Sequence, residues 1–389
     1  MKVFFRTIHL YLSLAAGLVI MIACFTGAVL VFEKELQEAF YKGRYYVEQA
    51  GSPLPLEQLV EQVQQELPGA KVTAVKMYAD PSRSAEISVN LPPKEEAGAG
   101  ASGGGKPVAY TVFVNPYSAQ VLDVYNYRDT FFFTMFSLHR WLLGPNDGIG
   151  KYIVGTATFF FLFILITGLI LWFPKTQKVL VQRLKLKWDG GLKRLNHDLH
   201  LVLGFYSAIF LFIFAFTGLA WSFEWFNKGI YTVTRTTMET PEPPASAWQE
   251  GAEPVSLDEV YRVARTQIED GKFYNIRTPK DSAAVFTVNV LPAGVMETAS
   301  DNYFLDQYSG QIIGSLKFDD KNLGQRVRGS FKPIHTSSLY GLPSKIIGFI
   351  VCVLGVTFPV TGTILWINRL RKGKKKARAK QQARARAKA

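Results

Sequence analysis

Apolar residues gather into four nearly charge-free runs, about Ile8 to Phe32, Ile149 to Phe173, Leu199 to Trp221 and Ile346 to Ile367. Each reaches the roughly 20 residues that a helix needs to cross a hydrocarbon core about 30 Å thick. Polar stretches separate them, so the pattern predicts four membrane spans. Between the spans the period changes. Leu56 to Leu67 and Leu257 to Ile268 carry apolar residues at helical spacing among Glu and Gln. Alternation follows at Lys71–Tyr78, Ser84–Asn90 and Val108–Val114, and again at Val285–Val290 and Tyr303–Leu305. Residues 95–106 read as a flexible Gly/Ala-rich loop, and Thr240 to Glu253 as a surface connector.

The same pattern occurs twice. At a lag of 191 residues His9 falls on His200, Thr26-Gly27 on Thr217-Gly218, and Asn115-Pro-Tyr-Ser-Ala-Gln on Asp306-Gln-Tyr-Ser-Gly-Gln. The lag then drifts, to 196 for His139 and His335 and to 194 for Thr167-Gly168 and Thr361-Gly362. A unit of span, lobe and span has been used twice, and such repeats decide architecture. The expected fold class is membrane α-helical: four transmembrane helices from an internal duplication, with two small α+β extracytoplasmic lobes.

Charge sets the orientation. Lys2 and Arg6 precede the first span, seven Lys and Arg lie between Lys175 and Arg194, and an Ala/Lys/Arg tail follows Arg369. By the positive-inside rule these are cytoplasmic. The expected order is span 1 (1–32), lobe 1 (33–146), span 2 (147–174), basic loop (175–196), span 3 (197–225), lobe 2 (226–343), span 4 (344–368) and tail (369–389). Both termini then lie inside and both lobes outside, in the periplasm if the source is Gram-negative. The net charge of +13 is then a topology signal; the tail suits anionic lipid and calls for no nucleic acid. Cys24 and Cys352 sit inside spans, so no extracytoplasmic disulfide is expected, and no Cys-x-x-Cys-His attaches a c-type haem.

The chain has five histidines, all at membrane boundaries. Repeats of one orientation are related by an axis along the membrane normal. His9 and His200 then share one depth, and His139 and His335 another. Facing imidazoles in a helix bundle suit six-coordinate haem iron, which transfers electrons. Two pairs imply two haem b groups, one per leaflet. Gly17, Gly155, Gly204 and Gly355 make room for a flat macrocycle. Arg6, Arg140, Arg194 and Lys332 are candidates for its propionates. His197, one turn before His200, is a substitute ligand, a supporting group or a surface residue. A zinc site would want further carboxylate or Cys ligands, and only Asp198 is near. The repeated Thr-Gly pairs read as helix-packing positions, and Pro359 as a kink. Tyr125, Tyr127 and Phe131 to Phe133 form an interfacial belt or the floor of a cavity.

Several motifs resemble the PepSY-associated transmembrane family. They are Arg6-Thr-Ile-His9, Phe25-Thr-Gly-Ala-Val-Leu-Val-Phe32, Leu138-His-Arg140, Asp198-Leu-His200 and the Thr-Gly-x-x-Leu-Trp ends of spans 2 and 4. The resemblance covers nearly the whole chain. It implies PepSY-like lobes, haem ligation by His9, His139, His200 and His335, and reduction of a periplasmic ferric siderophore, a hydroxamate such as ferrioxamine. The electron donor is a quinol or a cytoplasmic reductase; no nicotinamide or flavin fingerprint occurs. The alternatives are a siderophore or solute permease, which would want polar residues at mid-membrane, and a sensor or regulatory protein. Arg326 and Arg328 join the outer aromatic residues as a candidate docking region.

Overall fold

The structure is a computed structural model that describes residues 1–92, 107–248, 250–268, 270–296 and 298–387; the loop expected at 95–106 lies outside them. The first half runs α1 (Lys2–Val31), α2 (Glu33–Phe40), α3 (Lys42–Tyr45), α4 (Leu56–Glu66), β1 (Lys71–Tyr78), β2 (Ala85–Leu91), β3 (Val108–Val114), β4 (Val121–Tyr125), α5 (Phe131–Trp141) and α6 (Ile149–Trp172). After α7 (Gln177–Arg183) come α8 (Gly191–Asp198), a π-helical turn (Leu199–Leu203), α9 (Gly204–Ser222), α10 (Glu224–Thr234) and α11 (Leu257–Gln267). The chain ends with β5 (Gly271–Arg277), β6 (Phe286–Pro292), β7 (Asp301–Leu305), β8 (Ile312–Leu316), α12 (Leu323–His335) and α13 (Leu342–Arg386). The residues sort into two compact units.

One unit comprises Met1–Phe32, Thr134–Asn227 and Phe331–Ala389. Its four long helices are α1, α6, the continuous run Gly191–Ser222, and α13, each apolar enough to cross a membrane. Helices satisfy their own backbone, which lipid cannot. Small residues bring them together. A Cβ on Gly355 of α13 would lie 2.6 Å from Cys24 Sγ on α1, and one on Gly17 would lie 3.4 Å from Pro359. Pro359 sits inside α13 without ending it, and α13 continues as helix through the basic tail. Cations cap the end of α6: Lys2 Nζ donates to Phe173 O at 3.2 Å, and Arg183 donates to the carbonyls of Leu171 and Trp172.

The approaches to α6 and α13 are folded back rather than straight. Leu142 and Leu143 adopt φ of +52° and +65°, reversing the chain after α5. Gly150 then lies against the end of α5, where a Cβ would fall 1.9 Å from Trp141 O. The second half repeats the device with Ser337 at φ +57° and Gly348, whose Cβ would lie 2.1 Å from Ser337 Oγ. His139 and His335, expected shortly before spans 2 and 4, therefore lie on short helices turned back onto the bundle.

The other unit comprises Glu33–Phe133 and Lys228–Ser330. The two expected lobes are not separate bodies in it. Their strands form one eight-stranded antiparallel sheet, β4-β3-β2-β1-β5-β6-β7-β8. The join is β1 with β5, with Val75 opposite Ile276 and Met77 opposite Tyr274. The physical reason is the open edge: two four-stranded sheets each leave one interior-quality strand unpaired, and pairing them removes both edges. Helices α4 and α11 cover one face over a shared core of Leu56, Leu59, Val63, Ile87, Val112, Val260, Ile276 and Leu305. They cap each other: Asp258 Oδ1 accepts from Leu56 N at 2.7 Å, and Glu57 Oε2 accepts from Asp258 N at 3.2 Å. Strand β5 was not anticipated; β4 and β8 follow the Tyr-Ser-Ala-Gln and Tyr-Ser-Gly-Gln turns, whose sequence calls for a strand on either side, and β6 and β7 were expected as shorter runs.

Candidate functional site

Each of four histidines rests on a Thr-Gly pair of its own half. His9 Nδ1 lies 3.1 Å from Thr167 Oγ1 on α6, and His139 Nδ1 lies 3.0 Å from Thr26 Oγ1 on α1. His335 Nδ1 lies 3.1 Å from Thr217 Oγ1 on α9, and His200 Nδ1 lies 2.9 Å from Thr361 Oγ1 on α13. The adjoining glycine makes room for the ring. A Cβ would come within 3.3 Å of His9 Cε1 at Gly168, 3.5 Å of His139 Cε1 at Gly27, 3.2 Å of His335 Cε1 at Gly218 and 3.1 Å of His200 Cε1 at Gly362. The Thr-Gly repeats, read from sequence as helix-packing positions, are docking sites for imidazole.

The hydrogen bonds also assign the ring proton. Nδ1 of His9, His139 and His335 lies 3.0 Å from the carbonyls of Ile164, Ala23 and Phe214 respectively. A carbonyl only accepts, so Nδ1 carries the proton. Each threonine hydroxyl donates within its own helix, Thr26 to Ile22 O at 2.7 Å for example, and so accepts from Nδ1. Nε2 keeps its lone pair. Orientation of a ligating imidazole through its other nitrogen is how proteins prepare it for a metal.

Across the halves the rings meet in two pairs. His9 and His200 have centroids 6.5 Å apart with planes at 90°, and His139 and His335 have centroids 6.1 Å apart with planes at 67°. With metal–nitrogen bonds of about 2 Å and each nitrogen about 1 Å from its ring centre, two imidazoles sharing one ion have centroids roughly 6 Å apart. Both pairs fit. Among the described residues no group of three or more His, Cys, Asp or Glu side chains converges as a metal site, so an ion at either pair needs its remaining ligands from elsewhere, as porphyrin nitrogens supply them. Along α1, His9 and the docking residue Thr26 are separated by about 25 Å of helix rise. One pair therefore lies toward each end of the bundle, with the apolar cluster of Ala16, Ile20, Cys24, Ala157, Ile164, Leu211 and Val351 packed in the same helices.

A cavity of about 540 Å³ surrounds the His9–His200 pair, within the range of small-molecule and cofactor sites. Gly17, Gly204 and Gly355 line it, as expected for a flat ligand. Gly155 does not; it packs against Ser222 and Phe223, where its Cβ would lie 2.8 Å from Ser222 Cβ. Arg6, His197 and Arg369 line the same cavity, and all three are exposed. Arg369 was read from sequence only as a topology charge. Trp172 also lines the cavity, stacked on Phe205 at 3.7 Å, and its indole N–H has no partner among the described residues. His197 is held at Nδ1 by buried Asp198 Oδ1 at 3.1 Å. Arg194, a candidate for a propionate, is committed to Asp198 Oδ2 at 2.7 Å instead. Near the other pair, Arg140 donates to Trp221 O at 3.3 Å, and the Trp221 ring lies 5.4 Å from that of His335; Lys332 is exposed. At the His9–His200 pair donor type, ring separation, tautomer and cavity together suit haem.

No curated protein matches the chain. The family model described as "PepSY-associated TM region" matches residues 6–369, from one cavity arginine to the other. Four apolar helices long enough to cross a membrane fall within or overlap that match, and the chain is a membrane protein of the PepSY-associated TM region family.

Proposed function

We propose that the chain is a dihaem reductase of a bacterial inner membrane that passes electrons outward to a ferric siderophore. The observation that carries this reading is the double pair of imidazoles, each held at Nδ1, with no partner at Nε2 among the described residues, and at the separation one shared ion requires. Haem b bound at both pairs supplies one-electron carriers without an open coordination position. His9 and His200 would hold one group near the basic, cytoplasmic end; His139 and His335 would hold the other toward the periplasm. Arg6, with Arg369, would meet carboxylates at the first site, and Arg140 lies beside the second. The two halves, with matched element order and matched docking, are taken as the product of a duplication.

The substrate proposed is Fe(III) held by a hydroxamate siderophore such as ferrioxamine, by resemblance to the family's haem-containing reductase FoxB. Reduction to Fe(II) weakens binding by hard hydroxamate oxygens and releases the iron. Electrons would come from a quinol or a cytoplasmic reductase, with membrane lipid around the bundle. A permease is the weaker reading, because Ala16, Ile20, Leu211 and Val351 make a poor solute path.

The test is reconstitution in vesicles with a quinol donor, external ferrioxamine and a ferrous-ion chelator. Fe(II) should appear faster than in protein-free vesicles, and His9→Ala or His335→Ala should abolish the difference. Equal rates with and without protein would contradict the reading.

A further inference from the structure

The four docking sites are not equivalent. At His9, His139 and His335 the Nδ1 proton has two acceptors, a main-chain carbonyl and a threonine hydroxyl. At His200 the only acceptor found among the described residues is Thr361 Oγ1, at 2.9 Å. The difference has a backbone cause. His9, His139 and His335 lie on α-helices, whereas His200 lies in the π-helical turn Leu199–Leu203. A π turn inserts a residue and re-aims the side chains around it, often at functional sites. It also brings His200 closer to its glycine than any of the others, 3.1 Å from a Cβ on Gly362.

We propose that Thr361 is the positioning residue on which the ligand tautomer of His200 depends, and that the His9–His200 pair therefore hangs on a single hydroxyl. The Thr361 hydroxyl donates to Thr357 O at 3.0 Å and to Phe358 O at 3.2 Å, so toward His200 it can only accept. It thereby holds the proton on Nδ1 and leaves Nε2 bare. A neutral imidazole without such a partner favours the proton on Nε2, where it blocks metal ligation. Thr26, Thr167 and Thr217 each have a carbonyl that keeps the assignment when the hydroxyl is lost.

The experiment compares Thr361→Val, Thr361→Ser and Thr26→Val in the full-length chain. Nitrogen NMR of ¹⁵N-histidine protein before haem loading reads each tautomer. The wild type and Thr361→Ser should show His200 protonated at Nδ1; Thr361→Val should move the proton to Nε2; Thr26→Val should leave His139 unchanged. A second arm, which rests on the dihaem reading, measures haem retention. Thr361→Val should weaken one of two haems about 10- to 100-fold, with Thr361→Ser restoring it and Thr26→Val losing less. An unchanged His200 tautomer in Thr361→Val overturns the proposal, even if both haems bind. A wild-type chain that binds no haem overturns the reductase reading instead, and the tautomer arm still decides the role of Thr361.

Discussion

His139 and Thr26 are 113 residues apart in the chain and meet at 3.0 Å, Nδ1 to Oγ1. The same contact recurs at His9 and Thr167, His200 and Thr361, and His335 and Thr217. Each docking contact is made inside one half of the chain, and each histidine pair is made between halves. One half positions two imidazoles; only both halves together bring the ring centroids of each pair to 6.5 and 6.1 Å.

The glycines beside those threonines should rank in order of clearance. An alanine Cβ would stand 3.1 Å from His200 at Gly362, 3.2 Å from His335 at Gly218 and 3.5 Å from His139 at Gly27. The first two are tight enough to push the ring. Gly362→Ala and Gly218→Ala should each weaken one haem about tenfold, in line with an overpacking cost of about 1–3 kcal/mol. Gly27→Ala should be close to neutral. Haem retention on dilution, followed by absorbance, checks the order.

The ring planes predict a spectroscopic difference between the two sites. They cross at 90° for His9 and His200 and at 67° for His139 and His335. Perpendicular imidazoles act on both iron d orbitals of π symmetry alike and leave them nearly degenerate; less crossed rings split them. The oxidised protein should give two low-spin electron paramagnetic resonance signals, and the more anisotropic one should vanish in His200→Ala. Loss of the less anisotropic signal in that variant would contradict the assignment.

Arg6 and Arg369 should act through the carboxylates of the ligand. Both line the cavity of the His9–His200 pair, on α1 and α13. Arg6→Gln with Arg369→Gln should weaken binding of haemin about tenfold or more, the scale of a charge-assisted hydrogen bond. Haemin dimethyl ester, which lacks the charges, should bind the wild type and the variant alike. Titration of haem-free protein with the two ligands checks this.

Asp306 should make the stability of the sheet unit depend on pH. Burial alone would raise its carboxyl, but backbone N–H groups of Ser309, Ala247 and Tyr308 and the Ser309 hydroxyl outweigh that and hold it below its ordinary value. Because the folded-state value is the lower one, the stabilisation is full above the unfolded-state value and disappears as pH falls through the folded-state value. Asp306→Ala should cost about 1–3 kcal/mol at neutral pH, and the gap to wild type should close in acid. Asp306→Asn should lose less, since Asn115 in the first half accepts from Tyr117 N at 2.9 Å with an amide oxygen. Thermal unfolding at both ends of the pH range measures the gap.

The pairing of His9 with His200 and His139 with His335 was legible in the chain because matched positions, at lags of 191 and 196 residues, carry the histidines. So were the spans, since length and apolar content alone demand them. The partners of those histidines were not. Thr26 and Thr361 look like ordinary small polar residues of a membrane helix, and only tertiary packing across more than a hundred residues shows what they hold. Arg369 was hidden for a different reason: a basic residue after a span already has an explanation in topology. In the sheet unit, the alternation of Lys71–Tyr78 marked β1 but could not say that its free edge meets β5. The run Gly271–Arg277 carries Lys, Asn and Arg among its apolar residues and gives a weak strand signal by itself.

The most direct measurement is the number of haem groups per chain, by pyridine haemochrome against protein mass. Wild type should hold two haem b. His9→Ala/His200→Ala should hold one, His139→Ala/His335→Ala should hold one, and the fourfold variant none. A folded wild-type chain with no haem, or a fourfold variant that still holds it, would contradict the account.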